Sequence, residues 1–202
     1  RLKECGGGSQ LSPFFQGEAM EDISRMTRAL RSGIESDPSF GAVVPPVYLS
    51  SNFAFEGLGR RGVYDYTRTN NPTRDHLASA LSQLEMGSGA VITSSGMAAV
   101  SAVVSALLRP GDGVMIPHDP YGGTWRMFTE LADRGFFHLT SVDMTDDDAV
   151  ADALDREPKL VWLETPSNPL LRITDLRKVA SGAHEVGALV AVDNTFLTPL
   201  LQ

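Results

Sequence analysis

Leu189-Val190-Ala191-Val192-Asp193-Asn194-Thr195 is an apolar run of strand length that ends abruptly in a carboxylate. An unbroken run of this kind is the pattern of a strand buried in a parallel sheet, and open α/β sheets bind their ligands beyond the carboxyl ends of such strands. Asp193 therefore falls where chemistry is commonly found. A carboxylate in that position keeps its charge only when something cationic meets it, because an unpaired buried charge is costly and takes up a proton instead. Two structural alternatives satisfy the same residue: a helix N-cap, or a pairing with arginine.

Outward from this strand the text alternates regularly. Leu77 to Met86 has helical spacing, Ala90 to Thr93 reads as a short strand, and Gly96 to Leu108 reads as an Ala- and Val-rich helix. Strand, helix, strand follow over Val114 to Pro117, Thr124 to Arg134 and Phe137 to Val142. The helix over Asp146 to Arg156 opens with three acids that suit the positive end of its dipole. Leu160 to Glu164 is a strand and Asp175 to Glu185 a helix, after which Gly187 leads back to the opening strand. Repeated β-α crossing predicts an α/β fold: a mostly parallel sheet with helices on both faces. Before it, Glu21 to Leu30 has the spacing of a short amphipathic helix stopped by Gly33. From Asp37 to Asn71 the prolines, aromatics and glycines give an extended N-terminal arm that must lie across its own subunit or a neighbour. Residues 1–20, Gly-rich and without period, read as a disordered tail. The chain stops after a strand and a Pro199 turn, so more polypeptide is expected after Gln202.

Composition narrows the function. With 202 residues, 42% of them hydrophobic, there is enough material for a substantial core. A net charge of -8 argues against nucleic acid or an anionic membrane as main partner, since both call for clustered Lys and Arg. The single cysteine, Cys5, allows neither an intrachain disulfide nor a Cys-based metal site, and a reducing cytoplasm is the expected location. No stretch approaches the roughly 18 apolar residues of a membrane span. The four histidines lack the His-Glu-x-x-His spacing, and there is no Gly-x-Ser-x-Gly elbow, P-loop or dinucleotide fingerprint. No metal is expected.

Other strand ends carry candidates of their own. Thr93-Ser94-Ser95-Gly96-Met97-Ala98 lies where backbone N–H groups at a helix start can approach an anion, although Ser and Gly there are also ordinary capping residues. Tyr121, in His118-Asp119-Pro120-Tyr121-Gly122-Gly123-Thr124, offers a ring that could stack on a flat cofactor or simply pack in its loop. Asn168, between Pro166 and Pro169, is either a site residue on a stiff loop or an Asx turn opening the next helix. Arg68 in Tyr64-Asp65-Tyr66-Thr67-Arg68 presents a fork suited to phosphate, or is a solvated surface arginine.

Read in order, Tyr66-x-Arg68, Asn71-Pro72-Thr73-Arg74, Ser95-Gly96-Met97, Tyr121-Gly122-Gly123-Thr124, Glu164-Thr165-Pro166-Ser167-Asn168-Pro169 and Val192-Asp193-Asn194-Thr195-Phe196 resemble the Cys/Met-metabolism family of pyridoxal-phosphate (PLP) enzymes, fold type I. The match runs from about Arg28 to Gln202. The resemblance implies roles. Asp193 would pair with the protonated pyridine nitrogen and Tyr121 would stack on the ring, the two forming the catalytic pair. Gly96 and Met97 would hold the phosphate through their N–H groups, Asn168 would lie near the ring hydroxyl, and Thr195 belongs to the same pyridoxal 5'-phosphate-binding set. Tyr66 and Arg68 would reach the phosphate of a neighbouring subunit, which implies a homodimeric active unit, two of which pair into a tetramer. The domain division expected is an N-terminal helix and extended arm over 21–75 and the first part of the PLP-binding large domain over 76–202. The family's cofactor-bearing lysine is expected beyond Gln202; neither Lys159 nor Lys178 replaces it, so the stretch given is expected to be inactive alone. The reaction implied is replacement at Cγ of an activated homoserine ester by cysteine, in methionine biosynthesis. γ-Elimination and sulfhydrylation branches share nearly all these residues, although Gly123 stands where methionine γ-lyases carry cysteine. A non-catalytic paralogue is the alternative from another class.

Overall fold

The computed structural model describes residues 24–34, 37 and 39–202. The tail expected over 1–20 and the first residues of the helix expected from Glu21 lie outside the described residues. The chain divides into two compact units, the first running to Ile92 and the second from Thr93 to Gln202.

In the first unit, α1 (Arg25–Arg31) starts where the Ser24 hydroxyl accepts the Thr27 N–H at 3.2 Å. No helix interrupts residues 39–71, and the only pairings there are the isolated bridges Asn52 to Tyr66 and Gly57 to Arg60. α2 (Pro72–Leu84) opens as its sequence dictates, with proline in its first turn, where the missing N–H costs nothing, and Asn71 as cap. Asn71 Oδ1 accepts from Thr73 N at 2.9 Å while Nδ2 donates to Tyr48 O at 3.2 Å, so one amide both starts the helix and pins the arm to it. Much of the arm's apolar surface is bare: Phe40 is 95% and Leu49 92% exposed.

The second unit is a four-stranded parallel sheet of β1 (Gly113–Pro117), β2 (His138–Val142), β3 (Leu160–Glu164) and β4 (Leu189–Asp193), in the order β2-β1-β3-β4. α3 (Gly96–Leu107) precedes β1, and α4 (Gly122–Asp133), α5 (Asp147–Leu154) and α6 (Leu176–Glu185) join successive strands. A short α7 (Thr198–Leu201) follows β4. Alternation along the strands builds two cores. Val114, Ile116, Leu160 and Trp162 pack with Val100 and Val104 of α3 and Phe128 of α4 on one face. Met115, Val161 and Leu163 pack with α5 and α6 on the other. Helices thus cover both faces. Local chemistry fixes where they begin: Asp146 accepts from Asp148 N and Ala149 N, and Asp175 from Lys178 N.

Two expectations change. Ala90 to Thr93 forms no ladder, and Val91 is 85% exposed; a strand exists only through a partner, and this segment has none among the described residues. The apolar run 189–193 does form a parallel strand, but Leu189 and Val192 are each 40% exposed. The reason is position: β4 is paired on one side only, whereas β3, with neighbours on both, is buried along its whole length.

Phe128 has no exposed surface, and its ring lies 5.7 Å from those of both Phe137 and Trp162. Phe128→Ala should destabilise the fold by about 3–5 kcal/mol, read as a shift of the urea midpoint.

Candidate active site

The connections leaving β1 and β3 run in opposite directions along the sheet: α4 carries the chain outward to β2, α6 outward to β4. Between β1 and β3 the direction reverses, and a crevice forms there beyond the carboxyl ends, where doubly wound sheets bind ligands. Tyr121 follows β1 and Glu164 ends β3, one on each side of this crevice. Glu164 pairs in register with Asp193 of β4. Alternation sends both carboxylates to the face lined by α3 and α4, because Trp162 and Ala191, two residues earlier on each strand, pack there.

A cavity of about 510 Å³ opens at this point, and Gly96, Met97, Tyr121, Asn168, Asp193 and Thr195 all line it. Six of the eight sequence candidates are therefore together. The other two, Tyr66 and Arg68, belong to the first unit, where Arg68 Nη2 donates to the Tyr66 hydroxyl at 3.2 Å and the guanidinium carbon stands 5.4 Å from the ring centroid.

Each wall of the cavity has its own chemistry. At one end α3 begins: the Ser95 hydroxyl accepts from Ala98 N at 3.1 Å, leaving the Gly96 and Met97 N–H groups with no acceptor among the described residues. These are orphan donors at the positive end of a helix dipole, and a Cβ built on Gly96 meets nothing within 4 Å. Asp193, in the same wall, neither caps a helix nor meets an arginine. Its Oδ1 accepts from the Thr195 N–H at 3.0 Å and from the Thr195 hydroxyl, and among the described residues it has no ion-pair partner. The Tyr121 ring lines the same cavity. A Cβ added to Gly123 would come within 2.5 Å of its Cε1 and 2.8 Å of Met97 Sδ, so the absent side chain is what lets the ring lie there. Thr124, wholly buried in the cavity wall, has a hydroxyl with no hydrogen-bond partner among the described residues. The arrangement suits a flat ligand with an anionic group at one end and a positive charge at the other.

Glu164 was not singled out by the sequence reading, although it ends an apolar strand just as Asp193 does. It is 5% exposed, its Oε2 accepting the Tyr121 N–H at 2.7 Å and its Oε1 the Trp162 Nε1–H at 3.3 Å. Burial pushes its pKa up, the two N–H donors pull it down, and the negative charges of Asp193 and Asp119 push it up again. Thr124 was likewise missed, since nothing local distinguishes an orphaned threonine from a paired one.

Asn168 is exposed on a loop that a polar network ties to the tips of β1 and β2. The Ser167 hydroxyl donates to Asp119 Oδ2 at 2.7 Å, and Arg172 Nη1 donates to Asp143 Oδ2 at 2.9 Å. Arg172 Nη1 also lies 3.3 Å from His118 Nε2. A guanidinium only donates, so this nitrogen of His118 accepts, and the proton sits on Nδ1, facing Val142 O at 3.3 Å. The Asx turn allowed for Asn168 does not start α6; Asp175 does. Among the described residues no cluster of His, Cys, Asp or Glu could hold a metal ion, and no helix is long and apolar enough to cross a membrane.

The sequence pattern of the family described as "Cys/Met metabolism PLP-dependent enzyme" matches residues 26–202. Cystathionine gamma-synthase of Escherichia coli (strain K12) is 49% identical over 176 residues, 87% of this chain and 46% of the relative. Cystathionine gamma-lyase of Bacillus subtilis (strain 168) is 40% identical over 180 residues, 89% of this chain and 47% of the relative. Among solved structures, cystathionine gamma synthase from Xanthomonas oryzae pv. oryzae in complex with cystathionine superposes with a TM-score of 0.86 at 57% identity, covering 88% of this chain and 46% of that one. The chain thus spans about half the length of the relatives it matches.

The network at Asp143 has a testable pH signature. The Thr145 hydroxyl and N–H, and then Arg172, hold the Asp143 carboxyl down at about 2, against 3.8 ordinarily. A depressed carboxyl stabilises the fold above its unfolded pKa, and that contribution is lost as pH falls toward the folded value. The difference in Tm between the wild type and Asp143→Asn should be full above about pH 5 and close by about pH 2.

Proposed function

The chain belongs to the Cys/Met metabolism PLP-dependent enzyme family, and from that premise we propose that the full-length protein is a cytoplasmic cystathionine γ-synthase. It would replace the acyloxy group at Cγ of an activated homoserine ester, such as O-succinylhomoserine, by the sulfur of cysteine, serving methionine biosynthesis. The Cγ–O bond breaks with loss of the carboxylate, the cysteine sulfur bonds to Cγ, and the thiol proton is released. Bound PLP supplies an electron sink for negative charge at the substrate Cα.

The observation that carries this reading is the shared cavity, whose wall holds a strand-tip carboxylate with no ion-pair partner among the described residues, helix-start N–H groups with no acceptor among them, and a tyrosine ring. Those features match the pyridinium nitrogen, the phosphate and the flat ring of the cofactor in that order. Asp193 would hold the ring nitrogen protonated. Thr195 would fix which oxygen of Asp193 is free to do so, since it occupies Oδ1 twice. Tyr121 would cover the ring and exclude water from one face, and the N–H groups of Gly96 and Met97 would bind phosphate. Asn168, on its tethered loop, would orient the ring hydroxyl and the substrate carboxylate. Within the chain, we assign residues 21–75 to an N-terminal helix and extended arm and 76–202 to the first part of the cofactor-binding domain. The bare apolar residues of that arm favour a homo-oligomer, a dimer of dimers, in which Tyr66 and Arg68 serve the phosphate of the neighbouring subunit. Support for the synthase over other branches is the 49% identity to a synthase against 40% to a γ-lyase, together with Gly123 under the tyrosine ring.

Two measurements test this. Full-length protein given O-succinylhomoserine and cysteine should form cystathionine faster than it consumes cystathionine supplied alone. The reverse ratio assigns it to the γ-lyase branch, formation of homocysteine from sulfide to a sulfhydrylase, and no turnover with no bound cofactor to a non-catalytic paralogue. Asp193→Ala should lower kcat at least about 100-fold, the scale for removing one preorganised electrostatic stabiliser, and shift the visible absorption of bound PLP. An unaltered spectrum in that variant removes Asp193 from the role given to it.

A further inference from the structure

The ring of Tyr121 is useful only if its main chain is held, and little in its own segment does so. Tyr121 is the cap residue of α4, but its side chain makes no capping bond. Its carbonyl is engaged by Trp125 N at 2.9 Å, the first turn of the helix. Its N–H points the other way, to Glu164 Oε2 at 2.7 Å, 43 residues along the chain and on the other side of the crevice. That bond is at the short end of the range for its type.

Glu164 is itself held from below. Oε1 takes the indole N–H of Trp162, which is buried and packed against Phe128 at the centre of one core. Both oxygens are used, one toward the core and one toward Tyr121. The strand pairing also sets Glu164 beside Asp193, so the same carboxylate adds negative charge next to the one that faces the cavity. Burying a carboxylate beside another is unfavourable for stability alone; an apolar residue would serve the core better. The cost becomes intelligible if the group has a task at the cavity.

We propose that Glu164 is a positioning residue, which fixes the Tyr121 backbone across the β1/β3 crevice and thereby sets the height of the tyrosine ring over the bound cofactor. The inference rests on the PLP-enzyme reading of the cavity, but its first consequence does not need the cofactor. Glutamine can still accept the Tyr121 N–H through its one carbonyl oxygen, yet its amide nitrogen only donates and cannot take the indole N–H. Alanine leaves both donors unpaired. The two substitutions therefore separate the Tyr121 bond from the rest.

The experiment uses full-length protein, wild type, Glu164→Gln and Glu164→Ala, with and without PLP. Amide hydrogen exchange at Tyr121 in cofactor-free protein should speed up about ten- to a hundredfold in Glu164→Ala and stay near wild type in Glu164→Gln. With PLP bound, Glu164→Ala should lose most of the visible circular dichroism of the cofactor and lose kcat with little change in the KM for amino-acid substrate, while Glu164→Gln is substantially rescued. Wild-type exchange at Tyr121 in the alanine variant, or normal dichroism and kcat accompanied only by a lower Tm, overturns the proposal. Should the alanine variant fail to fold, Glu164→Leu, which fills the space but accepts no hydrogen bond, takes its place, and wild-type exchange at Tyr121 in that variant overturns the proposal equally. Wild-type protein that binds no PLP, while Tyr121 exchange still depends on Glu164, contradicts the PLP reading and leaves the anchoring bond in place.

Discussion

Glu164 and Asp193 end adjacent parallel strands, project to the same face, and have no cation between them among the described residues. Two carboxylates so close together repel, and a buried one pays for desolvation as well. Glu164 is compensated by two N–H donors. Asp193 is only half compensated, by a threonine that occupies one of its oxygens. The cavity that Asp193 lines carries no cationic side chain, and its wall includes the helix-start N–H groups of Gly96 and Met97, the Tyr121 ring and the Thr124 hydroxyl. A ligand that brings a positive charge to one end and a negative charge to the other relieves both ends at once.

The fold makes that juxtaposition possible by reversing direction between β1 and β3. Each strand tip comes from a different stretch of chain, so α3, the β1–α4 turn, the β3–α6 loop and β4 can each deliver one group without crossing another. Two cores, one per face, hold the strands at the required register, and the face shared with α3 and α4 is the one into which the chemistry projects. The loop carrying Asn168 has no secondary structure of its own. Its position comes from Ser167 and Arg172, whose partners lie at the tips of β1 and β2.

What the sequence could disclose follows from how local each cause is. Caps are local, so Asp146, Asp175 and Asn71 fall where their residue types predict. β3, a short apolar run between a turn and a charged tip, is equally legible. Asp193 could be singled out because a carboxylate closing an apolar run is anomalous in the text alone, whereas Gly96, Met97, Tyr121, Asn168 and Thr195 are grouped with it only by the resemblance to the PLP family. Partner-dependent properties were not legible. Ala90 to Thr93 has the composition of a strand and no ladder, and β4 has the composition of a central strand and an exposed edge. Glu164 obeys the same rule as Asp193, yet its importance lies in a bond to a residue 43 positions away, which no window of sequence contains.

The central claim is that Asp193 balances a protonated ring nitrogen. The most direct test is the ¹⁵N chemical shift of PLP labelled at the pyridine nitrogen and bound to the full-length protein. A shift typical of a pyridinium in the wild type, moving to that of neutral pyridine in Asp193→Ala, is the predicted result. A neutral pyridine shift in the wild type, or a pyridinium shift that survives the substitution, would contradict it.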